Sequence, residues 1–143
     1  MRREPTPIVD QQLAYAFLRF VFGVNIFLHG FSRLMGEPGA FLAYLAQKMA
    51  HAPISHFFLP IFAAVLPWVE ATIGLLLLLG LFTRVAILAG AAVMVLLMAG
   101  ASLAQDWDVA GLQLIYCVIY FLLLSYRERN FYSCDAWFGR AKA

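Results

Sequence analysis

Charge is what this chain has least of: only 13% of its 143 residues are Asp, Glu, Lys or Arg, against 64% that are apolar. A soluble domain carries roughly a quarter charged residues and about half apolar ones. A fold this small leaves much of its surface exposed, so water is excluded as the main solvent and lipid is implied. The net charge of +2 and the lack of a long basic block exclude a phosphate-binding stripe, and with it a nucleic-acid partner. The two cysteines, Cys117 and Cys134, have no CxxC spacing, so neither a metal clip nor a redox dithiol is indicated. Also missing are a glycine-rich dinucleotide fingerprint, a Walker loop, an HExxH pair and an internal repeat. Without a repeat, an inverted-repeat transporter loses support.

What is present are four long apolar runs, at about residues 12–34, 57–82, 85–104 and 109–126. Each is about 18 to 26 residues, the length that crosses a bilayer at 1.5 Å per residue. None alternates with period two, and open strand edges cannot survive in hydrocarbon, so the runs are helices. The fold class is all-α: one integral membrane domain over 1–143, a four-helix bundle. The first run follows two prolines and no small-residue cleavage site follows it, so it reads as a retained helix rather than a secretory signal. The outer loop, 35–56, opens on Gly36-Glu37-Pro38-Gly39; then Phe41, Leu42, Leu45 and Met49 recur at helical spacing. That pattern predicts a short amphipathic helix lying in the interface, as a cap or as a docking surface for an outer partner.

Basic residues set the orientation. Arg2, Arg3, Arg84, Arg127, Arg129, Arg140 and Lys142 share one side, while Arg33 and Lys48 lie on the other with Asp106 and Asp108. Both termini, including a polar tail at 127–143, are expected in the cytoplasm, and the protein in the inner membrane.

Ionisable groups at membrane depth are costly and mark function by default. In the first run Arg19, Asn25, His29 and Arg33 fall within an arc of about 120°, one face that must look into the bundle. Glu70 lies near the middle of the second run, after Pro67, where Arg19 or His29 could meet it across an antiparallel pair. Gln113, Tyr116 and Tyr120 share a face of the fourth run and could extend the network. The third run adds only small residues such as Ala86, Gly90 and Ala91, which permit close packing and offer contact points for self-association. His29 is the only histidine in a span, and His51 and His56 flank Pro53, so neither haem nor a metal pair is expected, nor a flavin. The bland alternative for the polar set is a structural lock that fixes helix register.

Two stretches carry a family resemblance. Leu18-Arg19-Phe20-Val21-Phe22-Gly23 continues through Phe27-Leu28-His29-Gly30 to Arg33-Leu34, and Pro67-Trp68-Val69-Glu70 runs on through Gly74 and the leucines to Gly80, Thr83 and Arg84. This resembles the DoxX family of small four-helix bacterial and archaeal membrane proteins. There the first helix commonly ends in an HGxxKL-type sequence, with a lysine where this chain has Arg33. The resemblance implies a redox-associated membrane subunit, since the family name comes from a subunit of a thiosulfate:quinone oxidoreductase. We expect a quinone-linked role, with Glu70, His29 and Arg19 catalytic and Asn25, Arg33, Gln113, Tyr116 and Tyr120 binding the head group. A partner redox protein would exchange the electrons. The rivals are a non-enzymatic anchor or assembly subunit, and a small-solute or proton pathway.

Overall fold

The computed structural model describes residues 7–50, 52 and 57–140. Arg2, Arg3, His51, Pro53, His56 and Lys142, used above for orientation and metal binding, lie outside them. Among the described residues six α-helices follow one another: α1 (Ile8–Met35), α2 (Ala40–Lys48), α3 (Phe58–Leu79), α4 (Thr83–Leu103), α5 (Trp107–Ser125) and α6 (Cys134–Arg140). Four of them, α1, α3, α4 and α5, are long and apolar enough to cross a membrane, and the chain is a multi-pass membrane protein. The short helix expected in the outer loop is α2, whose left-handed glycine at Gly39 turns the chain into it. We call its side of the bundle the loop side, and the opposite end the terminal side.

Glycine sets how α1 and α3 meet. A Cβ on Gly23 would stand 2.8 Å from the Leu78 nitrogen, and Cβ atoms on Gly30 and Gly74 would run into the backbones of Ala71 and Phe27. The two helices therefore touch backbone to backbone, as small residues permit in lipid. Gly23 facing Leu78, Phe27 facing Gly74 and Gly30 facing Ala71 keep one antiparallel register over about two turns. Helices α4 and α5 complete the bundle around Leu77, Ile87 and Leu123, all fully buried. Tyr120 packs edge-on against Phe22, with ring centroids 4.7 Å apart, and seats its ring on Gly90. Ala86 and Gly90 are thus buried inside the bundle, not placed on an outer face for self-association as the sequence suggested.

The terminal side is more organised than a polar tail. The turn after α3 is closed by left-handed Gly80, with the Leu81 N–H donating to the Leu76 carbonyl at 3.0 Å. Phe82 follows with φ 45°, a conformation that costs a bulky L-residue roughly 1–2 kcal/mol. Asp135, from the start of α6, offsets this by accepting hydrogen bonds from both Phe82 N and Thr83 N at 2.8 Å. It is an N-cap for α4 supplied from the far end of the chain. Asn130 donates to the Thr83 hydroxyl at 3.0 Å, and Asp135 N donates back to the Gly80 carbonyl.

Candidate functional site

The α1–α3 register decides which polar residues can meet. It puts Glu70 level with Phe31, two positions from His29 and from Arg33. Arg19 is twelve positions from that level, about 18 Å along the axis at 1.5 Å per residue. The expectation that Arg19 reaches Glu70 is therefore corrected: the carboxylate pairs with Arg33 instead. The Arg33 guanidinium also lies over the Phe41 ring, 4.4 Å from its centroid, which ties α2 to the ion pair.

Arg19 has different work. Buried at 4% exposure, it donates to the carbonyls of Leu77 and Leu78, among the last of α3, and to Tyr132 at 2.7 Å. Carbonyls at a helix C-terminus have no partner within the helix and carry the negative end of its dipole. A cation there satisfies both, and the same side chain holds the residues before α6 against the bundle. The face of α1 thus serves two sites at different depths.

On the loop-side half, Glu70 borders a cleft of about 240 Å³. His29 and Arg33 come from α1, Met94 and Leu97 from α4, and Gln113 and Tyr116 from α5. His29 and Leu112 edge the cleft and are exposed, so it opens sideways toward lipid between α1 and α5. At the terminal end the same seam is bridged where the Tyr15 hydroxyl donates to the Leu123 carbonyl at 3.0 Å, beside a separate, mostly apolar cavity of about 290 Å³. Tyr116 spans the seam and donates to Asn25 Oδ1 at 2.9 Å. Tyr120, expected to bind with it, is a core residue one turn deeper and does not line the cleft.

The donors and acceptors in the cleft are unequal. His29 Nδ1 lies 2.9 Å from the Asn25 carbonyl, which can only accept, so that nitrogen carries the proton. In the neutral ring Nε2 is then left as an acceptor. Gln113 Oε1 is buried with no hydrogen-bond partner among the described residues, a second free acceptor. Tyr116 has already spent its proton on Asn25. With the Glu70 carboxylate, the cleft offers acceptors and keeps its one strong donor, Arg33, engaged.

The DoxX family model matches residues 14–104. The chain belongs to the DoxX family. No curated protein and no solved structure matches it. The matched segment of this DoxX protein contains Arg19, Asn25, His29, Arg33 and Glu70, together with the three glycines that set the register. It reaches through α4, further than the two quoted stretches. Gln113 and Tyr116, which complete the cleft from α5, lie beyond it. Gly30 stands within the family stretch with no local sign of its contact, and Asp135 has no local capping signal at all.

Proposed function

We propose that this DoxX protein is a quinone-linked redox subunit of the bacterial cytoplasmic membrane, with α2 on the outer side. The observation that carries the reading is the acceptor-rich cleft, open to lipid, around the Arg33–Glu70 pair. The excess of basic residues at the terminal side supports the orientation.

The residues present fit a small aromatic head group that arrives through lipid. Such a group bears hydroxyls when reduced, and His29 Nε2 and Gln113 Oε1 are free to accept from them. A bound quinone supplies a two-electron, two-proton couple, and its electrons pass to or from a partner redox protein. His29 and Glu70 hold the protons, each being an acceptor already within the cleft. Arg33 pairs with Glu70 and so holds the carboxyl group in place at the wall of the cleft. Met94 and Leu97 close the back of the cleft with apolar surface. Arg19 has no part in this arrangement.

The test is bound quinone per mole of protein, extracted after purification in mild detergent. Wild type is compared with a Glu70→Gln, His29→Ala double variant and with Gln113→Leu, all matched for lipid. Near-stoichiometric quinone in wild type, lost in both variants, is the expected result. Quinone at the lipid background in every sample removes the proposal.

A non-enzymatic anchor or assembly subunit is the second reading. Its support is that Arg33–Glu70, Tyr116–Asn25 and Lys48–Asp106 each tie two elements together, as a purely structural network would. It predicts loss of stability on mutation, with no effect of added quinone on the melting temperature.

A further inference from the structure

Three cavities adjoin one another, by shared lining residues, between the loop-side surface and Glu70. The outermost is an open groove of about 420 Å³ on the α4–α5 turn, bordered by Lys48, Ala104, Asp106 and Asp108. Beneath it lies a vestibule of about 120 Å³ under α2, which shares Lys48, Ala104 and Asp106 with the groove. The vestibule in turn shares Arg33, Leu97, Val109 and Gln113 with the cleft that contains Glu70. Each cavity is thus separated from the next by side chains that both of them touch. Polar groups mark both junctions: Lys48 and Asp106 at the upper one, Arg33 and Gln113 at the lower.

The upper junction is closed by a single ion pair. Lys48 Nζ, at the end of α2, lies 2.6 Å from Asp106 Oδ2, at the start of α5. Asp106 also caps α5 through its other oxygen, which accepts from Val109 N at 3.3 Å. The carboxylate is therefore fixed, and the flexible lysine is the part free to leave. At the lower junction the unpartnered Gln113 Oε1 is a ready acceptor for a water molecule. The ionisable groups facing Glu70 across the cleft are Arg33 and His29 from α1 and Tyr116 from α5, while α4 presents only Met94 and Leu97.

We propose that this string of cavities is a water-filled half-channel through which Glu70 exchanges protons with the aqueous phase on the loop side, with Lys48–Asp106 as its latch. It stands whether or not a quinone occupies the cleft, because it concerns only how water reaches a buried carboxylate. The step is a proton transfer alone: the carboxylate gains or loses a proton to water, and no electron moves. Such a path makes the bundle sided, with Glu70 wetted from one face of the membrane.

The test uses the full chain in liposomes, with Cys117 and Cys134 replaced by alanine and one reporter cysteine introduced at a time. Leu97→Cys and Val109→Cys place the thiol where vestibule and cleft meet; Val95→Cys, exposed on α4, places it in lipid close by along the same helix. Silver ion in chloride-free buffer is the probe, added from one side, and the thiols left unreacted are then counted with a maleimide after denaturation. Only the thiolate reacts and it needs water, so we expect Leu97→Cys and Val109→Cys to react from the loop side at least roughly tenfold faster than Val95→Cys. Adding Lys48→Gln should raise the Leu97→Cys rate severalfold, and Lys48→Arg should leave it unchanged. Melting temperatures of all variants establish that they are folded. Reporter rates equal to that of Val95→Cys, or equal rates from both sides, would overturn the half-channel. A Leu97→Cys rate indifferent to Lys48→Gln would overturn the latch.

Discussion

Arg33 and Glu70 are joined across α1 and α3 at the one level of the bundle where the helix register brings an arginine within reach of the buried carboxylate. The side chain of Glu70 is almost wholly enclosed, whereas that of Arg33 keeps about a quarter of its surface open. The pair therefore has one fixed member and one that borders three cavities.

Removing one partner of a buried pair leaves an uncompensated charge, which costs roughly 3 kcal/mol or more. Arg33→Met should destabilise by about that amount, and Glu70→Gln by less, because it leaves no stranded anion. A double-mutant cycle read by thermal unfolding in detergent should show coupling above about 1 kcal/mol. Additive effects would mean that the pair contributes nothing as a pair.

Gly30 and Gly74 should tolerate no side chain. Each added Cβ would meet the backbone of the facing helix, which cannot move aside as a side chain would. Gly30→Ala and Gly74→Ala are each expected to destabilise by about 2 kcal/mol or more through overpacking. Gly111→Ala, which has open space at that point, is the matched control and should change the melting temperature little.

Asp135→Ala should release the cap of α4 and cost about 1–2 kcal/mol. Asp135→Asn should keep part of that, since an amide oxygen can still accept. Limited proteolysis within residues 127–140 should be faster in Asp135→Ala and in Arg19→Met, because both remove bonds that hold this segment. Cleavage of either variant at the wild-type rate would show that the segment is held by other contacts.

The Lys48–Asp106 latch should depend on pH. Its mutual hydrogen bond is the largest cause that holds the Asp106 carboxyl below its usual range and the Lys48 ammonium above its own. For an acid with a depressed value the contribution is complete above the unfolded pKa, near 3.9, and is lost as pH falls through the folded one. For the raised lysine it is complete below the unfolded pKa, near 10.4, and is lost as pH rises through the folded one. The latch is therefore intact between about pH 4 and pH 10 and should open at either extreme. Amide exchange in 40–50, corrected for its intrinsic pH dependence, should lose protection below about pH 4 in wild type but show no such step in Lys48→Gln. Both pair members are solvent-facing, so salt should weaken the effect.

How much of this was legible in the sequence varies with the kind of information each feature needs. The four spans and α2 were legible, because apolar run length and helical spacing are local. The polar face of α1 was also legible, but its partition was not. Helical angle tells which way Arg19 and Arg33 point; it does not tell how deep each lies relative to Glu70. Depth follows from the register that Gly23, Gly30 and Gly74 impose, and that register appears only once two helices are packed. The same limit hid Asp135, whose capping partners lie 52 and 53 positions away and leave no pattern around it. Ala86 and Gly90 read correctly as sites of close approach, but the approaching partner is within the chain.

The clip over the α3–α4 turn also carries an order of events. Asp135 follows Phe82 by 53 positions, so at about 5–20 residues per second it leaves the ribosome some 3–10 seconds after the turn it caps. During that interval the Phe82 and Thr83 amides at the α3–α4 bend lack the carboxylate that caps them in the finished structure. The bond that joins the two ends of this clip is thus the last that the bend can acquire, since its acceptor is made last.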